Sequence, residues 1–330
     1  YKCIADFQYG FMYRSVDSII KKTSSGLTYG GIENVDRNTN YMLVNNHRDI
    51  ALDATLLGYI FHQNDIDSFE ITFGSNLMQG DFVIDFGKIN KMFKISRGGS
   101  AKDFYKDSLH VSNYMRHVIT EKKQSVWIAQ RNGRTKDGDD KTEIGVLKMF
   151  SLSSDKPFVE NLKQINILPI SISYEYEPCD FLKTMEIYIS NYQKYIKEQG
   201  EDLRSIITGI MQPKGQIHIS ITKPITEQEL EYCDSFEKNN KFAHLGKIID
   251  YRILNNYKLY KNNYIAHDIL NKSYKYEEFY AKEDKEQFVE YMKNGLSKLP
   301  CRVTGEMSEL ENIFLKIYAN PVENLNTLKI

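Results

Sequence analysis

Cysteine is scarce in this chain, long apolar runs are missing, and neither sign of charge prevails. The four cysteines, Cys3, Cys179, Cys233 and Cys301, lie far apart and form no CxxC pair. That spacing argues against a disulfide framework or a structural zinc site and fits a reducing compartment. No run of about 18 apolar residues exists, so no transmembrane helix is expected. No signal peptide is visible, although the chain opens on Tyr1 rather than Met. Lys and Arg number 43 against 44 Asp and Glu, a net charge of −1. The molecule as a whole therefore exerts no strong pull on nucleic acid, and any anion site must be built from local charge. Repeats and low-complexity linkers are absent. His and Asp residues do not cluster as metal ligands do, so no metal site is expected.

What is present is a chain of 330 residues, long enough for one large α/β domain with additions or for two domains. The 23 tyrosines suit an interfacial surface, since the ring is apolar and the hydroxyl wet; codon bias is the favoured explanation. Residues 5–22 read as a helix with an aromatic and aliphatic stripe, either core-packing or lying on a membrane. Strands are expected at 26–35, 41–45, 69–74, 94–97, 126–130, 165–173 and 217–222. Helices are expected at 53–62, 80–93, 101–122, 143–152, from 227 onward, and at 284–298 and 305–318. The alternation of strands and helices to residue 175 predicts an α/β fold with a mixed, largely parallel sheet. Helices flank that sheet, and the remainder is mainly helical. A boundary near 180 separates a catalytic core, 1–180, from a part, 181–330, that completes or covers it.

The stretch Tyr41-Met-Leu-Val-Asn-Asn-His-Arg-Asp-Ile-Ala-Leu-Asp53 carries the most chemistry. A buried strand runs into polar residues, and ligands of α/β folds bind beyond the carboxyl ends of strands. A hydroxyl nucleophile needs a base with a near-neutral pKa, which points to His47. That base needs a carboxylate to fix its tautomer. Asp53 is the favoured partner, provided His47 sits in the loop ahead of the helix. Asp49 is the favoured helix cap, with the reverse assignment open.

Three further blocks follow. In Lys91-Met-Phe-Lys-Ile-Ser-Arg-Gly-Gly-Ser100, Lys94 and Arg97 supply charge, and Gly98 with its neighbour exposes backbone N–H groups of the kind that grip phosphate. In Trp127-Ile-Ala-Gln-Arg-Asn-Gly-Arg-Thr-Lys-Asp-Gly138, the cations Arg131, Arg134 and Lys136 surround Gly133 and call for an anion such as phosphate or CoA. Ile167-Leu-Pro-Ile-Ser-Ile-Ser-Tyr174 is a hydrophobic strand containing Pro169.

In this order, over about residues 40–178, the four blocks resemble the motifs of the glycerolipid acyltransferases, the lysophosphatidate and glycerol-3-phosphate acyltransferases among them. Two departures stand out. Five residues separate His47 from Asp53 where the family has four, and Asn132 stands where the family has glutamate. The resemblance implies that His47, oriented by Asp53, deprotonates a glycerol hydroxyl, which attacks the thioester of acyl-CoA or acyl-carrier protein. It implies that Arg97, Arg134 and Arg131 hold the acceptor's phosphate. It carries Asn46, Arg48, Lys94, Gly98, Asn132, Gly133 and Lys136 as substrate-binding positions, and Pro169 as a residue lining the pocket. The implied partners are the acyl donor, a phospholipid precursor and a membrane surface, with no nucleic acid. The expected location is cytoplasmic, on the inner face of the cytoplasmic membrane. Rival readings are another lipid acceptor, amino-acid-based or hydroxylated, and a non-catalytic lipid- or anion-binding protein. A phosphoesterase would need metal-ligand clusters that the sequence does not offer.

Overall fold

A computed structural model describes residues 4–77, 81–95, 100–237, 240–300 and 306–328. Seven strands of these residues form one sheet: β1 (Gly26–Gly30), β2 (Met42–Asn45), β3 (Glu70–Gly74), β4 (Met92–Ile95), β5 (Val126–Ala129), β6 (Ile167–Tyr174) and β7 (Gln216–Ile221). Their order in space is β1-β7-β6-β2-β5-β3-β4. From β6 to β4 all neighbours are parallel; β7 runs antiparallel to β6 and carries β1 in parallel beside it.

β2 and β6 are buried along their whole length, as central strands of a sheet covered on both faces must be. The period of two sorts β2 between the two faces. Met42 and Val44 pack with Val111, Met115 and Val118 of helix Ala101–Thr120 and with Leu245 and Ile249 of helix Asn240–Asn255. Leu43 faces Leu56, Leu57 and Ile60 of helix Leu52–Gln63, with Val16 of helix Tyr13–Thr23 joining that side. A third core, around Phe288, Phe314 and Tyr318, gathers the C-terminal helices Asp180–Tyr192, Lys261–Asn271, Lys282–Leu296 and Met307–Thr327. This is the mixed, mostly parallel sheet with flanking helices and a helical C-terminal region that the sequence predicts. No helix among the described residues is long and apolar enough to cross a membrane.

Four departures from the sequence reading have local causes. The expected strand at 26–35 stops at Gly30, because Gly31 turns the chain with φ 77° against the Ile221 carbonyl. The expected helix at 80–93 ends at Ile89, and Lys91, at φ 56°, redirects the chain into β4. The N-terminal helical stretch contains a π-helical turn, Gln8–Met12. Its stripe mostly serves packing, since Val16 is in the core and Ile19 and Ile20 rest against it. Finally, the helix Glu201–Met211 was absent from the sequence reading. Ile206, Ile207, Thr208 and Gly209 are poor helix formers, which masked it.

Candidate active site

Beyond the end of β2 the backbone leaves the sheet, and the Asn46 side chain continues the ladder in its place. Its Oδ1 accepts from Ile172 N at 2.8 Å, and its Nδ2 donates to the Ile172 carbonyl and to Asp140, both at 3.0 Å. His47 follows in the loop, tied down by Thr135 N donating to its carbonyl at 2.7 Å. The chain then enters helix Leu52–Gln63, whose first turn holds Asp53.

Asp53 is the hub of the loop. Its Oδ2 lies 3.0 Å from His47 Nδ1 and accepts from the backbone N–H groups of Arg48 at 2.7 Å and Asp49 at 2.9 Å. Its Oδ1 accepts from the Tyr174 hydroxyl at 2.9 Å. A carboxylate surrounded by donors can only accept from the imidazole, so Nδ1 carries the proton and the Nε2 lone pair is left free. The ring of His47 stands edge-on to Trp127, with centroids 5.7 Å apart.

Asp49 takes the capping role. Its Oδ1 accepts from Ala51 N at 2.9 Å and Leu52 N at 2.8 Å, two of the free donors at a helix start. Its Oδ2 is buried without a hydrogen-bond partner among the described residues. Burial, and then the neighbouring Asp53, push the Asp49 carboxyl above the usual carboxylate range. Helix Glu201–Met211 closes over it at Gly209, where a Cβ would stand 2.0 Å from Asp49 Oδ2.

These geometries set the expected order of two substitutions. Asp53→Asn removes, in either orientation of the amide, the charge that steadies the imidazolium, so kcat/KM should fall by on the order of 100-fold or more. Asn remains a good cap, so Asp49→Asn should stay within about a few-fold of the parent. Steady-state kinetics on the pair checks the order, and the reverse order would move the relay to Asp49.

His47 opens into a cleft of about 240 Å³ whose walls include Phe73, Leu77, Phe104, Trp127 and Met149. Arg131 and Asn132 line the same cleft, as does Glu143, which the sequence reading did not single out. Glu143 lies 11 residues past Asn132 in the chain, and only the fold returns it. A second cavity of about 340 Å³, lined by Phe11, Tyr13, Val16, Tyr59, Ile206 and Ile210, is strongly apolar. The two share Ala51, Ala54, Ile71 and Met92 as walls.

The remaining sequence candidates are distributed unevenly. Arg48 is fully buried and Asn46 equally so, and both knit the loop from inside instead of facing the cleft. Arg48 Nη2 donates to Asp140 at 2.6 Å, and its Nη1 lies 3.4 Å from Glu177. Lys183 bridges the same cluster, donating to Glu177 at 2.6 Å and to the Arg48 carbonyl at 2.8 Å. Arg134 sits behind the loop, near Asp49, Asp202 and Cys179, with Nη1 buried and unpartnered among the described residues. Burial pushes the Cys179 thiol up to about 11, and Arg134 opposes that rise. Gly133 turns the chain at φ 81°. Lys136 is engaged by Glu186. Lys94 is exposed on β4 and does not line the cleft. Pro169 lies inside the sheet, opposite Val44 in register, and not on the cleft wall. Arg97 and Gly98 fall outside the described residues.

A strand-loop-helix that presents an imidazole backed by a carboxylate to an apolar cleft is the arrangement of an acyltransferase, and residues 26–173 match the Acyltransferase family. That segment is somewhat less than half of the chain. Among solved structures, the 1-acyl-sn-glycerophosphate (LPA) acyltransferase PlsC from Thermotoga maritima is similar, at 12% identity and a TM-score of 0.43. That match covers 75% of this chain and 86% of the other. No curated protein sequence matches the chain.

Proposed function

We propose that this protein transfers a fatty acyl group from acyl-CoA or acyl-carrier protein to a hydroxyl of glycerol-3-phosphate or lysophosphatidate. The observation that carries the reading is the His47–Asp53 pair at the wall of the cleft, with Nδ1 turned to the carboxylate. In this reading Nε2 takes the proton of the acceptor hydroxyl as its oxygen attacks the thioester carbonyl. Asp53 holds the ring and stabilises the imidazolium, and the thiolate leaves as the ester forms. The apolar cavity beside the cleft has the character needed for an acyl chain. Arg131 at the cleft supplies positive charge for the acceptor's phosphate, and the family resemblance adds Arg97. The enzyme works from the inner face of the cytoplasmic membrane, bound peripherally. The test is thiol release from acyl-CoA and from acyl-carrier protein across a panel of acceptors. Release that depends on a phosphorylated glycerol supports the reading, and release with phosphate-free acceptors alone reassigns the arginines.

The phosphate assignment has its own test. Arg131→Ala should raise the acceptor's KM by roughly 10- to 100-fold, as expected for one charge-assisted hydrogen bond. An interaction made before and during the reaction is uniform binding, so kcat should change little. Arg131→Lys should recover part of the loss, because the planar fork is gone. Two-substrate kinetics decides the matter: an effect confined to the donor would assign the guanidinium to CoA.

A further inference from the structure

Helix Glu201–Met211 is apolar on two sides. On its inner side Ile206 and Ile210 wall the 340 Å³ cavity, and Gly209 rests on Asp49. On its outer side Leu203, Ile207 and Met211 are 59%, 53% and 68% exposed. Their spacing of four puts the three on one line along the helix. Ile196, five residues before the helix, is 78% exposed. A soluble surface scatters such side chains singly, whereas a contiguous row marks a contact.

We infer that this ridge is the surface on which the protein docks to an anionic lipid bilayer. The inference rests on the lipid-acyltransferase reading above and names the face that meets the membrane. Three observations select lipid as the occupant. First, the ridge is continuous with the site. Asp202, one residue before it, accepts from Asn76 Nδ2 at 2.9 Å, and Leu77, next to Asn76, lines the His47 cleft. Second, the same helix separates the apolar cavity from solvent, so a bilayer against its outer side would lie next to the space for an acyl chain. Third, the neighbouring helix Tyr13–Thr23 carries Arg14, Lys21 and Lys22 against the single acid Asp17, while Arg204 within the ridge lies 3.7 Å from Glu198. Aliphatic side chains with a fringe of cations suit the boundary of anionic headgroups and acyl chains. The aromatic stripe of the N-terminal helix, which the sequence made the first choice for this role, is largely turned to the cavity and core.

The test is flotation with vesicles of equimolar phosphatidylcholine and phosphatidylglycerol. The wild-type chain should float, and the triple variant Leu203→Ser, Ile207→Ser, Met211→Ser should lose roughly 100-fold or more in partition coefficient. All three positions are exposed, so circular dichroism should be unchanged. Tyr274→Ser, a control at a residue 73% exposed elsewhere, should float like wild type. Leu203→Trp should shift its emission to the blue on adding vesicles. The single native tryptophan, Trp127, is buried beside His47 and should not respond. Equal flotation of wild type and triple variant overturns the inference, as does failure of the wild type to float. A fall in sedimentation mass in the triple variant, with flotation intact, would give the ridge to a second copy instead. Thiol release with a water-soluble short-chain acyl-CoA and glycerol-3-phosphate separates this from the functional reading. The triple variant should match wild type there, and absence of release from both would sink the enzyme assignment while flotation still judges the ridge.

Discussion

His47→Ala should abolish acyl transfer while leaving the protein folded and able to bind acceptor. Removal of a general base costs on the order of 10² to 10⁴ in rate, and no other imidazole among the described residues lines the cleft. The ring is also cheap to lose structurally. It is held by one hydrogen bond to Asp53 and an edge contact with Trp127, and the two backbone N–H groups and the Tyr174 hydroxyl that Asp53 accepts from would remain. Thiol release, measured beside acceptor binding by calorimetry, checks both halves of the expectation. Turnover near wild type would remove His47 from the mechanism.

Arg48→Ala should do the opposite, damaging the fold before the chemistry. The guanidinium has no solvent exposure and faces Asp140, Glu177 and the ring of Tyr257, whose centroid is 5.1 Å away. Burial works against its charge, yet the two carboxylates outweigh burial and raise its pKa further. Without it, Glu177 would keep Lys183, while Asp140 would be left with hydrogen bonds from Asn46 and Thr135. Removing one partner from a buried ionic cluster costs about 3–5 kcal/mol, a large part of the total stability of a domain. Denaturant unfolding should therefore show a lowered midpoint with an unchanged slope. A midpoint within error of wild type would mean that the cluster contributes little. Activity should fall along with stability, because loosening the buried cluster frees the backbone at position 48, whose N–H holds the carboxylate that orients His47.

Arg48 also shows where sequence reasoning stops. Next to a histidine at a strand end, an arginine reads as a ligand for substrate phosphate, and nothing local distinguishes that role from the one found. Its partners lie 92 and 129 positions further along the chain. Lys136 misleads for the same reason, since Glu186 is 50 positions away. The His47–Asp53 contact was legible because every determinant is local: a buried strand, a short loop, a helix start and a carboxylate in the first turn. Asp49 could be read as the cap by the same local logic. The sheet's parallel half followed from alternating strand and helix patterns. The slot of β7 between β1 and β6, and the closure of Glu201–Met211 over Asp49, depend on contacts distant in sequence and leave no periodic trace.

The position of β7 has a consequence for the order in which the chain is made. β1 pairs with β7 alone, Gly26 standing opposite Gln216 and Gly30 opposite Ser220. As the polypeptide emerges from the ribosome, β1 waits for a partner through the 186 positions that separate Gly30 from Gln216. The outer edge of β6, eight residues of buried character, stays open for the last part of that interval, from Tyr174 to Gln216. A nascent chain with an unpaired apolar edge is exposed to wrong pairing and to capture by other chains. Expression of residues 26–173 alone would make that condition permanent, since the excised piece contains β1 but not the strand that joins it to the rest. The full chain should therefore be soluble where the excised piece aggregates.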